Sequence, residues 1–255
     1  MWSLLSRANK RAPKTPDGLR RAPKTPDGVR IYAIGDVHGR ADLLAHLLAG
    51  IDADIASYPT PQVVEVFLGD YIDRGPQSRE VLDILVSRSQ RHQMIYLKGN
   101  HETCIADFLC NPAMLPHWRY LGGFETLVSY GVMPSINPDA QEQKELAAAF
   151  DRALPDSHRR FLSGLTRSFE CGDYFFAHAG VRPGIPLSRQ QEEDLLWIRE
   201  DFLLHEKGFG KIVIHGHTPV AEPDIRPNRI NIDTGAYATG NLTCLVLQNE
   251  DMTFI

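Results

Sequence analysis

Two stretches decide the fold: residues 31–39, IYAIGDVHG, and residues 63–75, VVEVFLGDYIDRG. Each is a short apolar run, rich in β-branched residues, that stops at a glycine followed by residues of metal-ligand type. Three further apolar runs also end in residues of metal-ligand type beside a glycine. Residues 94–97 lead into Gly99-Asn100-His101-Glu102, residues 174–177 into His178-Ala179-Gly180, and residues 212–214 into His215-Gly216-His217-Thr218-Pro219. Runs of this length bounded by turn residues read as buried strands. In open α/β sheets, binding and chemistry gather outside the carboxyl ends of the strands. Five such ends are therefore expected to bring Asp, His and Asn side chains into one crevice.

Between these runs the apolar period changes from a strand's to a helix's. Leu43, Leu44, Leu47, Leu48 and Ile51 form a stripe over residues 40–56, and Val81, Leu82, Leu85 and Val86 form another over 78–89. A helix over 101–110 completes a βαβ rhythm. Helices are expected over 118–130, 141–150 and 157–165, followed by strands over 167–171, 174–177, 211–214, 229–232 and 242–247. The expected class is α/β, a two-sheet β-sandwich flanked by helices.

A chain of 255 residues with 43% apolar content can bury a sizeable core. The motifs run from residue 35 to 219, so residues 31–255 are expected to form a single catalytic domain. No apolar stretch approaches the roughly 18 residues that cross a bilayer. Cys104, Cys110, Cys171 and Cys244 lack Cys-x-x-Cys spacing, and no secretory apolar segment is evident. The expectation is a soluble cytoplasmic protein without disulfides and without a membrane partner. Residues 1–30 carry eight Lys/Arg and two Asp, leaving 19 basic and 30 acidic residues beyond them. Within this arm RAPKTPDGLR, residues 11–20, recurs as RAPKTPDGVR, residues 21–30. Ten residues with two prolines and a glycine do not make a stacking repeat. The segment reads as a disordered basic arm, with docking on the acidic body or on an anionic partner as the alternative. The acidic body argues against nucleic acid as a partner.

Carboxylates, imidazoles and an amide oxygen together suit manganese, iron or zinc, and no thiolate-rich site competes. The ordered set of five motifs resembles the phosphoprotein phosphatase branch of the calcineurin-like metallophosphoesterases, the branch of the bacteriophage lambda and bacterial serine/threonine protein phosphatases. The resemblance extends to Trp197-Ile198-Arg199-Glu200, Ile232-Asp233-Thr234-Gly235-Ala236 and Gly240-Asn241-Leu242-Thr243. It implies the calcineurin-like fold and two divalent ions, manganese first. Asp36, His38 and Asp70 would hold one ion, and Asp70, Asn100, His178 and His217 the other. Two cations roughly 3.5–4 Å apart lower the pKa of a shared water and stabilise an in-line displacement, so hydroxide would attack without a phosphoenzyme. The resemblance further implies His101 as general acid, paired with Asp73, and Arg74, Arg199 and Asn100 on the phosphate.

His215 is left open at this level: a ligand if the register shifts, otherwise a packing residue. His46, His92, His117, His158 and His205 lie outside the motifs and read as ordinary histidines, and Asp233 as a supporting residue or a turn. Symmetrical dinucleoside tetraphosphate hydrolases typically carry Ala at the position of Asp73 and Asp at that of Glu102. Class III cyclic-nucleotide phosphodiesterases end in Gly-His-x-His, where this chain has Pro219. A scaffold that had kept only the fold would be expected to lose ligands, and none is missing. The expected activity is hydrolysis of phosphoserine or phosphothreonine, with phosphotyrosine or a small phosphoester also open. Dinucleotide or other small-molecule phosphoester hydrolysis is the alternative.

Overall fold

Parallel pairing of the first apolar runs sets the architecture. The computed structural model describes residues 10–11, 22–89 and 93–255. Strands β1 (Lys10–Arg11), β2 (Val29–Ile34), β3 (Gln62–Phe67) and β4 (Gln93–Tyr96) open the chain, with helices α1 (Ala41–Ser57) and α2 (Ser78–Arg88) as the crossovers of β2–β3 and β3–β4. Helices α3 (Asn100–Cys110), α4 (Leu115–Tyr120), α5 (Gly123–Ser129), α6 (Ala140–Ala153) and α7 (Asp156–Ser163) follow. Strands β5 (Ser168–Cys171) and β6 (Tyr174–Ala177), helices α8 (Glu192–Trp197) and α9 (Glu200–Leu203), and strands β7 (Ile212–His215), β8 (Asp224–Ile225) and β9 (Arg229–Asn231) come next. Helix α10 (Ala236–Thr239) and strands β10 (Cys244–Gln248) and β11 (Asp251–Phe254) end the chain.

One sheet has the order β1-β11-β10-β2-β3-β4 and the other β5-β6-β7-β9-β8. In the first, β2 pairs in parallel with β3 in a register that sets Ile34 against Phe67. Alternation along β2 explains why the whole strand is buried. Ile31 and Ala33 face the second sheet, packing among Val64, Phe176, Ile214 and Ile230, while Tyr32 and Ile34 face Leu44, Leu48 and Leu82 of the helices. A parallel sheet covered on both faces takes apolar residues at every position. Glu65 is the buried polar exception on β3, and its two oxygens accept a bidentate pair from Arg88 of α2 at 2.7 Å each. The two-sheet sandwich with flanking helices is the expected fold.

Two expectations are corrected. The helix over 118–130 is broken into α4 and α5 by Gly122, whose φ of 100° belongs to the left-handed region. Its carbonyl accepts the N–H of Arg74 at 3.0 Å, and a β-carbon there would meet that nitrogen at 2.6 Å. Residues 22–30, expected in the arm, are instead built into the body. Thr25 is fully buried; its N–H donates to the Asn249 carbonyl at 3.0 Å and its hydroxyl accepts the Asn249 N–H at 2.8 Å. The Lys24 N–H donates to the Asp173 carboxylate at 2.9 Å, and Asp173 returns its N–H to the Lys24 carbonyl at 3.0 Å. Lys10–Arg11 pairs with β11; residues 1–9 and 12–21, with the rest of the expected arm, lie outside the described residues, as does His92. Among the described residues no helix is long and apolar enough to cross a membrane.

Candidate metal centre

The turns after β2, β3 and β7 carry an unusual backbone. His38, Asp70, Asp73, Arg74 and His217 all have φ between 46° and 70°. Left-handed conformations cost a non-glycine residue about 1–3 kcal/mol and collect at functional sites. Here they turn side chains from three strand ends inward, and the packing between the sheets holds them. Asn249 is the other such non-glycine residue among those described, at the β10–β11 turn.

His38, Asp70 and His217 are joined by His101 at the start of α3 and His178 just after β6, in two groups that share Asp70: His38, Asp70 and His101, then Asp70, His178 and His217, with all ligand atoms of each group within 4.8 Å of one another. His38 Nε2 lies 3.4 Å from Asp70 Oδ2, and His178 Nε2 lies 3.4 Å from Asp70 Oδ1. Asn100 Oδ1 stands 2.9 Å from His178 Nε2 and 2.9 Å from His217 Nδ1. The backbone fixes the tautomers: His38 Nδ1–H donates to the Ile72 carbonyl at 2.9 Å and His178 Nδ1–H to the Leu68 carbonyl at 3.0 Å. Each Nε2 is then left with a lone pair facing the site, as a metal-bound imidazole requires. Lone pairs of Asn100, His178 and His217 converging within 3.2 Å repel one another unless a cation lies among them.

Asp36 stands beside the two groups, not within either. Its Oδ2 accepts the His217 N–H at 3.0 Å, while its buried Oδ1 receives no hydrogen bond. Gly216 permits this approach, since a β-carbon there would lie 2.0 Å from that oxygen. Burial first, then the charges of Asp233 and Asp70, push the Asp36 carboxyl well above the usual carboxylate range. Burial lowers His38 to about 3, and burial with the neighbouring His178 lowers His217 to about 2. Neutral imidazoles and crowded buried carboxylates are what a divalent cation stabilises, so the donor set fits divalent metal.

His101 and Asp73 meet as expected, at 2.7 Å between Nδ1 and Oδ2. Asp73 is held further by the Trp118 indole N–H at 3.0 Å and the Thr126 hydroxyl at 2.6 Å. Burial opposes the charged form of His101, but Asp70 and Asp73 outweigh it and raise its pKa. Arg74 approaches His101 Nε2 at 3.3 Å. Arg199 is at the rim, 3.4 Å from the Thr218 hydroxyl. His215 points away: its Nδ1–H donates to the Gly216 carbonyl at 3.1 Å and its ring packs on Phe202, centroids 4.9 Å apart.

Glu102 plays a part that sequence reasoning missed. Its carboxylate accepts the N–H groups of Asp70, Tyr71 and Gly99 at 2.8–3.0 Å. It therefore clamps the Asp70 turn to the start of α3 and does not face the crevice. Trp118 and Thr126 were missed as well. They lie 45 and 53 residues from Asp73, and only the fold brings them together.

The family model for calcineurin-like phosphoesterase matches residues 29–245. This chain belongs to that family. A bis(5'-nucleosyl)-tetraphosphatase of the asymmetrical type from Bacillus velezensis is 31% identical to it over 234 residues, covering 82% of this chain and 86% of the relative. Among solved structures, one assigned as a diadenosine tetraphosphatase superposes with a TM-score of 0.61 at 19% identity, covering 92% of this chain and 98% of that one. A protein serine/threonine phosphatase from Saccharomyces cerevisiae superposes with a TM-score of 0.53 at 17% identity, covering 89% and 79%. At such identities the structural likenesses speak for the fold alone, and the chain is a metallophosphoesterase of this fold.

Proposed function

We propose that the chain hydrolyses the phosphoanhydride of dinucleoside tetraphosphates asymmetrically, into a nucleoside triphosphate and a monophosphate. The observation that carries this reading is the 31% identity to the Bacillus velezensis enzyme across 82% of the chain. Asp36, His38 and Asp70 would hold one divalent ion, manganese in this proposal, and Asp70, Asn100, His178 and His217 the second. When bound, the ions supply Lewis acidity to the attacking water and to the phosphoryl oxygens. Arg74, Arg199 and the Asn100 amide hold the phosphate, the arginines through bidentate forks. His101, oriented by Asp73, gives a proton to the departing oxygen.

That last pair supports a second reading. A nucleotide departs as a stabilised phosphate anion and needs little help from an acid. An alkoxide leaving a phosphoserine needs a proton, and a buried His–Asp pair raises the supply of protonated imidazole. Phosphomonoester hydrolysis, on proteins or small molecules, is therefore the runner-up. The preference for monoesters expected from Glu102 no longer has that support, since Glu102 binds backbone N–H groups and not substrate.

One manganese-loaded preparation, assayed on diadenosine tetraphosphate and on a phosphoserine peptide, separates the two. The dinucleotide reading expects kcat/KM more than tenfold higher on the tetraphosphate, with ATP and AMP formed in equal amounts. A tenfold preference for the peptide would make the monoesterase the leading reading, and ADP as the sole nucleotide product would contradict asymmetry.

A further inference from the structure

Two aromatic rings are exposed at the mouth of the site, one beside each metal group. Trp197 is 40% exposed and stands edge-on to His217 with centroids 6.1 Å apart. Tyr237 is 38% exposed and stands edge-on to His38 at 5.4 Å. Both rings are fixed from behind. Trp197 ends α8, whose Leu195 and Leu196 are buried. Tyr237 belongs to the single turn of α10, whose Ala236 carbonyl accepts a hydrogen bond from Arg40 at 3.0 Å.

Their faces are used differently. The guanidinium of Arg74 lies over the Tyr237 ring, 4.8 Å from its centroid, a cation–π contact. The Trp197 ring has its ring contact with His217 edge to face and stays partly open to solvent. An exposed indole, rigidly placed next to a phosphate site, is a stacking surface for a base. Arg199, two residues further on, is placed to take a phosphate of the same nucleotide.

Resting on the dinucleotide reading above, we propose that Trp197 is the platform for the purine of the nucleotide whose α-phosphate occupies the metal centre, while Tyr237 holds Arg74 over the phosphate chain. The two sides of the centre then differ. One grips a nucleoside and the other a phosphate tail, which is the discrimination an asymmetrical cleavage requires.

The test compares AMP with ribose 5-phosphate, which lacks only the base, as competitive inhibitors of p-nitrophenyl phosphate hydrolysis by the manganese-loaded protein. The wild type should bind AMP more tightly by about fivefold to 150-fold, the range typical of one stacked base. Trp197→Ala should bring the ratio of the two inhibition constants close to one, and Trp197→Phe should keep most of it. Trp197→Leu, which retains apolar bulk without a π face, serves as the second variant should the alanine variant fold poorly. Tyr237→Ala should weaken both inhibitors by a similar factor and leave the ratio standing. A wild-type ratio near one, a ratio that survives both Trp197→Ala and Trp197→Leu, or a ratio lost in Tyr237→Ala would overturn the platform. A protein that fails to cleave diadenosine tetraphosphate yet shows the Trp197-dependent ratio would overturn the proposed substrate and leave the platform in place.

Discussion

Asp73 has no exposed surface, and it receives hydrogen bonds from Trp118, Thr126 and the ring of His101. Such a carboxylate can reach substrate only through the imidazole it orients. His101→Asn should therefore cost roughly 10²–10⁴-fold on a phosphoserine peptide, less on p-nitrophenyl phosphate, and least on a dinucleotide. Asp73→Asn should show the same ordering with smaller losses, and equal losses on all three substrates would remove His101 as the acid. His101 lies within ligand reach of Asp70, 3.7 Å from Oδ2, so metal content should be measured on the same variants and is expected to be unchanged. Glu102→Asp shortens the reach to three backbone donors. It should lower turnover of peptide and dinucleotide by similar factors, read as a ratio of kcat/KM within about threefold of wild type. The side chains that converge at the candidate centre were legible in the sequence because each follows its strand within a few positions. The direction of Glu102 was not, because an acid beside a ligand looks the same whether it faces solvent or the backbone.

At the level of elements, the break at Gly122 shows how helical periodicity misleads. Residues 118–130 carry an acceptable apolar stripe, yet the left-handed turn between α4 and α5 supplies the carbonyl that holds Arg74. Gly122→Ala should displace Arg74 and raise the inhibition constant of inorganic phosphate several-fold while the ligand residues keep their metal. Helix α7 gives a pH prediction. His158 is fully buried; its Nδ1 is 2.7 Å from the Tyr130 hydroxyl and its Nε2 3.0 Å from Asp83. Burial lowers its pKa, outweighing Asp83. The unfolded chain then binds the proton more readily than the folded one, so this residue withdraws stability as pH falls below about 6.5. Melting temperature should drop between pH 7 and 5, and the drop should be shallower in His158→Gln. An unchanged slope would show that other buried imidazoles dominate. Strands β2, β3, β6 and β7 were readable because both of their faces are buried. β8 and β11 were not, because they are short and partly exposed and carry no continuous apolar run.

For the whole molecule, the parallel βαβ start and the later second sheet were legible, and so was the convergence of five strand ends on one site. The domain boundary was misplaced because two decapeptides that differ only at Leu19 and Val29 look equally detached, while only the fold shows Lys24 and Thr25 tied to Asp173 and Asn249. Removing residues 1–21 should leave the melting temperature within a few degrees. Removing residues 1–28 deletes at least four of those hydrogen bonds, each worth about 1 kcal/mol, and should lower it by roughly 5–15 °C. Equal melting temperatures for the two truncations would contradict the structural role of the second copy. Asp70 is the carboxylate shared by the two candidate metal groups. Elemental analysis of the purified protein, stripped of metal and reloaded with manganese, should find two ions per chain. Asp70→Asn should diminish both, and His38→Ala chiefly one. A plateau at a single ion in the wild type, or full occupancy in Asp70→Asn, would contradict the two-metal centre.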